Sequence, residues 1–207
     1  MAAREETRPS TGAHDDPPEF RAAVADLHTA RLRPEIFCEQ MPAPQRIAPY
    51  ATALSADVNV AGDEVGTGRL ILLHDPQGND AWAGGTFRLV AYVRAEVDAD
   101  QITDAMLGEV AWSWLLEALE AHGAEHLAAA GSVTRVATES FGGMADDDST
   151  AQVEIRASWT PVAEGAFPDI RAHAEAWGEL LCTAAGLPPV PEGVAIIPTS
   201  RGQRGPA

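Results

Sequence analysis

The stretch TGRLILLHDPQGNDAWAGGTFRLVAYVRAEV, residues 67–97, decides the fold. Over residues 87–97 apolar side chains occupy every second position, which is the period of a half-buried β-strand. Residues 69–74 are apolar at almost every position, so we expect a second strand whose two faces are both partly covered. The loop at 74–85 joins them and contains Gly and Asp, which favour turns. The stretch therefore predicts two strands of a β-sheet.

The flanking segments extend this pattern in both directions along the chain. The periods predict a helix over 18–33, strands over 50–60, 69–74 and 87–97, a helix over 100–123, strands over 132–141 and 152–159, and a helix over 168–186. We therefore expect an α+β fold with the element order αβββαββα. Its single antiparallel sheet would have about five strands, with the helices packed on one face.

Length and charge limit the possible functions. The chain has 207 residues and a formal net charge of −17, and its 14 basic residues are all Arg. We expect one α+β domain at residues 17–200 between disordered tails at 1–16 and 201–207, which contain almost no apolar residues. Chemistries that need a Lys, such as Schiff-base formation, are excluded. The negative charge argues against nucleic acid and anionic membranes as partners.

The sequence also bears on the compartment. The first residues, MAAREETRPSTGAHDD, lack the apolar stretch of a signal peptide. No apolar run approaches the roughly 20 residues that cross a bilayer. We therefore expect a soluble, cytoplasmic protein. Cys38 and Cys182 would be reduced there, and their separation does not match the spacing of metal ligands.

Catalytic groups do not converge in the sequence. His122 and His126 are four residues apart, but Gly123 is expected to end the helix between them. Ser140 lacks the sequence context of a nucleophile. We therefore assign no catalytic residue, no metal site and no cofactor. A non-enzymatic domain that binds a protein or acts as an adaptor is the favoured interpretation.

The outward face of the sheet is the favoured binding site. If Phe87 and Leu89 point into the core, the outward positions hold Arg88, Tyr92, Arg94 and Arg156, joined by Arg69 and Arg135. Arginines beside a tyrosine can bind a carboxylate, so the expected partner is an unidentified protein or an acidic peptide. In the competing interpretation the arginines are neutralised by cross-strand pairs with Glu96, Glu139 and Glu154.

The loop at 74–85 offers an alternative site. His74 and Asp75 are acid and base candidates at its start, and Trp82 could act as a lid, as in a small enzyme or a metabolite-binding protein. An ordinary turn at Asp75 and Pro76 is the competing interpretation.

The helix over 100–123 has an apolar sector too wide for one sheet. Trp112 and Leu116 lie beside its main apolar stripe. Either another helix of the same chain covers them, or a second copy does so in a homodimer.

Five segments carry a resemblance to a known family: PAPQRIAPYATALSADV (42–58), TGRLILLHDPQGNDAW (67–82), GTFRLVAYVRAE (85–96), EVAWSWLLEAL (109–119) and ASWTP (157–161). Together they resemble an uncharacterised actinobacterial family, domain of unknown function three thousand. This resemblance implies an actinobacterial, cytosolic origin and supplies no activity. The element order also resembles the type III secretion chaperone-like fold, which implies a chaperone-like binding role and dimerisation through the long helix.

Overall fold

A computed structural model describes residues 16–144, 150–163 and 167–189. Its six strands are β1 (Ile36–Met41), β2 (Tyr50–Val60), β3 (Asp63–His74), β4 (Phe87–Glu96), β5 (His126–Thr138) and β6 (Thr150–Pro161). Its four helices are α1 (Pro18–Leu27), α2 (Ala99–Ile102), α3 (Leu107–Ala121) and α4 (Ile170–Ala184). Apart from Asp16, the predicted tails at 1–16 and 201–207 lie outside the described residues, so their disorder stays a prediction.

All strand pairs are antiparallel, and the strand order across the sheet is β1-β2-β3-β4-β6-β5. The α+β class, the single antiparallel sheet and the helices on one face are confirmed. The sheet has six strands rather than about five, because β1, which the periodicity did not predict, adds a strand at one edge. This strand is only six residues long and lies between Pro34 and Pro42, where helix α1 was expected to end. The helix ends earlier, at Leu27.

The core lies between the sheet and the helices. Alternate residues of the central strands, among them Leu70, Leu89 and Ile155, are fully buried beneath α4. Gly68 of β3 allows α4 to come close, since a Cβ at this position would lie 2.6 Å from Cδ2 of Leu181. The helices thus bury one face of the sheet, and no described helix covers the other face.

The helix expected over 100–123 is divided into α2 and α3. The buried residues of α3 repeat at helical spacing, and Gly123 follows the helix with a φ of 62°, so the expected end is confirmed. Strand β5 begins at His126, six residues before the expected start at 132. Among the described helices, none is long and apolar enough to cross a membrane.

Candidate binding surface on the open face of the sheet

The face of the sheet that points away from the four described helices is called the open face below. The strand register arranges its side chains in rows. Arg69 of β3 lies opposite Tyr92 of β4, which lies opposite Arg156 of β6. One step along, Ile71 lies opposite Val90. An arginine row therefore runs beside an apolar row across the centre of the sheet.

The arginine row contains one shared carboxylate. The Tyr92 hydroxyl donates to Oε1 of Glu154 at 3.1 Å, and Nη2 of Arg156 lies 2.6 Å from Oε2 of the same side chain. The Arg156 guanidinium also lies 5.3 Å from the centre of the Tyr92 ring. Burial raises the pKa of the Tyr92 hydroxyl, and the hydrogen bond to Glu154 adds to this rise. Tyr92 is therefore held as a neutral donor between two charged groups.

The other two exposed arginines of this face are not neutralised in this way. Arg94 lies opposite Glu154 in the register, but among the described residues neither Arg94 nor Arg69 has a carboxylate within 4 Å. Of the three expected acidic partners, Glu154 forms an ion pair, whereas Glu96 and Glu139 form none with described residues. Two positive charges thus remain at the centre of the open face.

Arg88 lies on the open face but is buried there. The prediction that its side chain is exposed is therefore wrong. Only 7% of the residue is accessible. Its guanidinium donates to Oγ1 of Thr160 at 3.0 Å, and to Oγ and the carbonyl oxygen of Ser158 at 2.7 and 3.1 Å. Burial lowers the pKa of Arg88. The cation is held by neutral oxygens, and among the described residues it has no carboxylate partner within 4 Å.

The loop after β3 explains this burial. A short 3-10 turn at Asp80–Trp82 is capped by the Asn79 side chain, which accepts a hydrogen bond from the Ala81 amide at 2.9 Å. The carbonyl oxygen of Trp82 accepts the Thr160 hydroxyl proton at 2.9 Å. The loop therefore folds onto the end of the open face where Arg88 and Thr160 lie.

The alternative site at residues 74–85 does not assemble. His74 is buried on the opposite, helix-covered side, stacked on Phe87 with ring centres 4.3 Å apart. Its Nδ1 lies 2.9 Å from the Thr86 carbonyl oxygen, and burial lowers the pKa of the ring, so His74 is neutral with its proton on Nδ1. Asp75 closes a local turn by accepting from the Gln77 amide. Trp82 belongs to the other face, so His74 and Trp82 do not share a cleft.

Trp112 and Leu116 have different environments. Trp112 is half-buried and lies against β5, where a Cβ added to Gly131 would be 2.7 Å from its Cζ3. Leu116 is 38% exposed. Cover within the chain therefore accounts for much of Trp112 but leaves Leu116 open.

The described residues contain no group of three His, Cys, Asp or Glu side chains placed to hold a metal ion. His122 is the residue after α3, with Nδ1 3.9 Å from Glu175, and His126 begins β5. They do not share a helix face. Cys38 and Cys182 are both free thiols, and burial raises the pKa of Cys182 to about 12.

Two features of the surface were missed in the sequence. Ser158 and Thr160 accept hydrogen bonds from Arg88 and alternate with the buried Trp159. This alternation could have placed both hydroxyl groups on the same face as Arg88. Arg135 was expected to point outward, but it pairs in register with the buried Val153 on the helix-covered side. Its guanidinium donates to the Asp104 carbonyl oxygen at 2.7 Å. The alternation of β5 does not identify its buried face, because Val133 and Val136 lie on opposite faces and are both half-buried.

Comparison with known proteins gives one match. A family model described as a protein of unknown function, DUF3000, matches residues 16–195. Neither a curated protein nor a solved structure matches the chain. The expected likeness to the type III secretion chaperones is not shown by these comparisons, and the observed order has four strands, not three, between the first two helices.

Proposed function

The chain belongs to the DUF3000 family, a family of unknown function, and from this premise we propose that it is a binding protein that holds an acidic peptide segment on the open face of its sheet. The observation that carries the proposal is the pair of exposed arginines, Arg69 and Arg94, beside Tyr92 and without carboxylate partners among the described residues. A chain of net charge −17 has many acids available for pairing. That neither arginine pairs with a carboxylate in the part of the chain that the structure describes favours a carboxylate supplied by a partner.

Tyr92 supports this assignment by its position between the arginines. Its hydroxyl is fixed by Glu154, and its ring supports the Arg156 guanidinium. A tyrosine offers rigid contact area at a low cost in conformational entropy. Tyr92 therefore has a fixed position between Arg69 and Arg156 in the arginine row, and Arg94 lies two residues further along β4 on the same face. This arrangement suits the carboxylates of an extended peptide.

The apolar row indicates the rest of the partner's chemistry. Ile71 and Val90 are half-buried without a helix above them among the described residues, whereas Ala53, opposite Ile71, is already buried. Contact with apolar side chains would remove this surface from water, which is favourable. We infer that the bound segment carries apolar side chains beside its acidic ones.

Arg88 adds charge to the same surface without being a contact residue. It lies beneath the loop at one end of the open face and is paired only with neutral oxygens among the described residues. A buried charge is weakly screened by salt. Its field therefore supports the binding of an anion on this face even though its side chain is not accessible.

The experiment measures binding of a fluorescent peptide of alternating Glu and Leu by anisotropy. We expect the double variant Arg69→Glu, Arg94→Glu to bind about tenfold or more weakly, since every factor of ten is about 1.4 kcal/mol and two attractive charges become repulsive. The matched control is Arg31→Glu, Arg46→Glu, which reverses two exposed arginines that lie outside the strands. It should change the affinity much less.

A peptide of alternating Lys and Leu serves as the charge control and should bind poorly. Equal losses in the two double variants would mean that only the net charge matters, and would contradict a site on the open face. Absence of binding to the Glu and Leu peptide by the unaltered protein would contradict the proposal directly.

A further inference from the structure

The sheet has two edges, and only one of them is protected against pairing. The β1 edge is six residues long, carries Glu39 and is followed closely by Pro42 and Pro44. Short length, charge and proline are the usual means by which proteins block edge-to-edge pairing. The β1 edge therefore discourages the addition of another strand.

Strand β5 forms the opposite edge, which is longer and contains no proline, and Arg135 is its one Arg, Lys, Asp or Glu residue. The strand is 13 residues long, has the sequence HLAAAGSVTRVAT and pairs with β6 on one side. A single irregularity lies near its start, between Leu127 and Ala130. Within residues 16–144, 150–163 and 167–189 no strand pairs with the outer side of β5, which therefore presents backbone amides and carbonyls over roughly 30 Å or more.

Apolar side chains gather along the same edge. Leu116 and Val110 of α3 are 38% and 41% exposed, and Leu127 of β5 is 54% exposed. An open groove of about 460 Å³ runs between α3 and β5 and is lined in part by Trp112 and Gly131. The outer backbone of β5 is thus flanked by an apolar helix surface. Exposed apolar side chains of this kind are typical of the core of a protein interface.

We propose that two copies of this chain form a two-fold dimer in which their β5 strands pair antiparallel and join the two sheets into one. In this arrangement α3 of each copy packs beside the edge of the other. The inference does not depend on the proposed peptide site, because it uses the backbone of the β5 edge, although Ser132 of β5 lies opposite Arg156 at the end of the arginine row.

Charge favours a second copy as the occupant of this edge. Because β5 itself has no acidic residue, pairing two of these acidic chains opposes no carboxylates within the paired strands, and the flanking Glu125 and Glu139 lie outside them. Arg135 lies near the end of β5, and antiparallel pairing carries it toward the start of the partner's β5. In each copy that start adjoins the last turn of α3, which carries the exposed Glu117 and Glu120. The two-fold axis therefore brings Arg135 of each copy toward the glutamates of α3 in the other copy.

The test measures mass by light scattering during size exclusion over a range of protein concentrations. The unaltered protein should approach twice 21.8 kDa. The variant Ser132→Lys, Thr134→Lys places two cations on exposed positions of each β5 and should shift the mass to that of one chain. The matched control, Phe37→Lys, Gln40→Lys, adds the same charge on exposed positions of the β1 edge and should remain dimeric.

A second measurement keeps the test decisive if the β5 variant folds poorly. Hydrogen exchange of the unaltered protein should show slow exchange at alternate β5 amides, those that do not pair with β6, and faster exchange on dilution. A single-chain mass at all concentrations would overturn the proposal. Loss of the dimer in the β1 variant but not in the β5 variant would also overturn it, because the interface would then lie at the other edge.

Discussion

The two faces of the sheet are built from the same strands, but their polar side chains differ in charge. On the helix-covered face the buried polar rings are neutral: His173 accepts the Trp159 indole proton at Nδ1, and His74 is stacked on Phe87. On the open face, Arg69 and Arg94 remain charged without carboxylate partners among the described residues. The comparison teaches that the helices cover one face, whereas the other keeps exposed charge, which is where we propose that a ligand binds.

The largest effect that would test this contrast concerns His173 and pH. Burial, together with the nearby His126, lowers its pKa to about 4 from an ordinary 6.5, against the opposing influence of Asp169. Because the folded pKa is the lower one, the unfolded chain takes up the proton first. The stabilisation is therefore complete above pH 6.5 and is lost as the pH falls toward 4, by up to about 3 kcal/mol.

Urea unfolding at pH 7 and at pH 4.5 measures this loss. The variant His173→Gln keeps an acceptor for the Trp159 indole but has no titrating group, so its stability should fall less between the two pH values. If both proteins lose the same stability, His173 is not the buried neutral group that we describe.

The next effect compares two arginines of β4 that both lie on the open face. Arg88→Ala removes three hydrogen bonds and leaves buried hydroxyl groups without their donor, which should cost about 2–3 kcal/mol of unfolding free energy. Arg94→Ala alters an exposed side chain and should change stability by less than about 0.5 kcal/mol. Thermal and urea unfolding of both variants measure the difference. Equal small effects would mean that the loop does not bury Arg88.

The smallest stability effect compares two valines of one strand on opposite faces. Val93 is fully buried on the helix-covered face, and Val90 is half-buried on the open face. Val93→Ala should destabilise the protein by about 2 kcal/mol, and Val90→Ala by less than half of this. Urea unfolding should resolve the difference. Equal losses would indicate that something covers Val90 as completely as the helices cover Val93.

Part of this contrast could be predicted from the sequence. The alternation of β4 correctly assigned Tyr92 and Arg94 to the outward face, because a strand has only two faces and its core residues are evident. Periodicity does not say which loop folds over which end of a face, so the burial of Arg88 could not be foreseen. The β1 strand was missed because an edge strand need not alternate over six residues.

The candidate site was harder to predict than the fold. Side-chain type suggested that Arg156 and Glu154 could pair, and they do so within one strand rather than across strands. The freedom of Arg69 depends on the register of three strands, which the sequence does not specify. The separation of His74 from Trp82 likewise follows from the path of the loop, since neighbouring positions in a sequence can lie on opposite sides of a sheet.

The central claim is that ligand binds the open face, and the most direct measurement is a nuclear magnetic resonance titration of isotope-labelled protein with the peptide of alternating Glu and Leu. We predict that the amide shifts change most along the arginine row, at Arg69, Tyr92 and Arg156, and that His74→Phe, which preserves the aromatic stacking, leaves this map unchanged. Shifts gathered instead around the cavity lined by Glu125, Asp169 and His173, with the arginine row unaffected, would contradict the account.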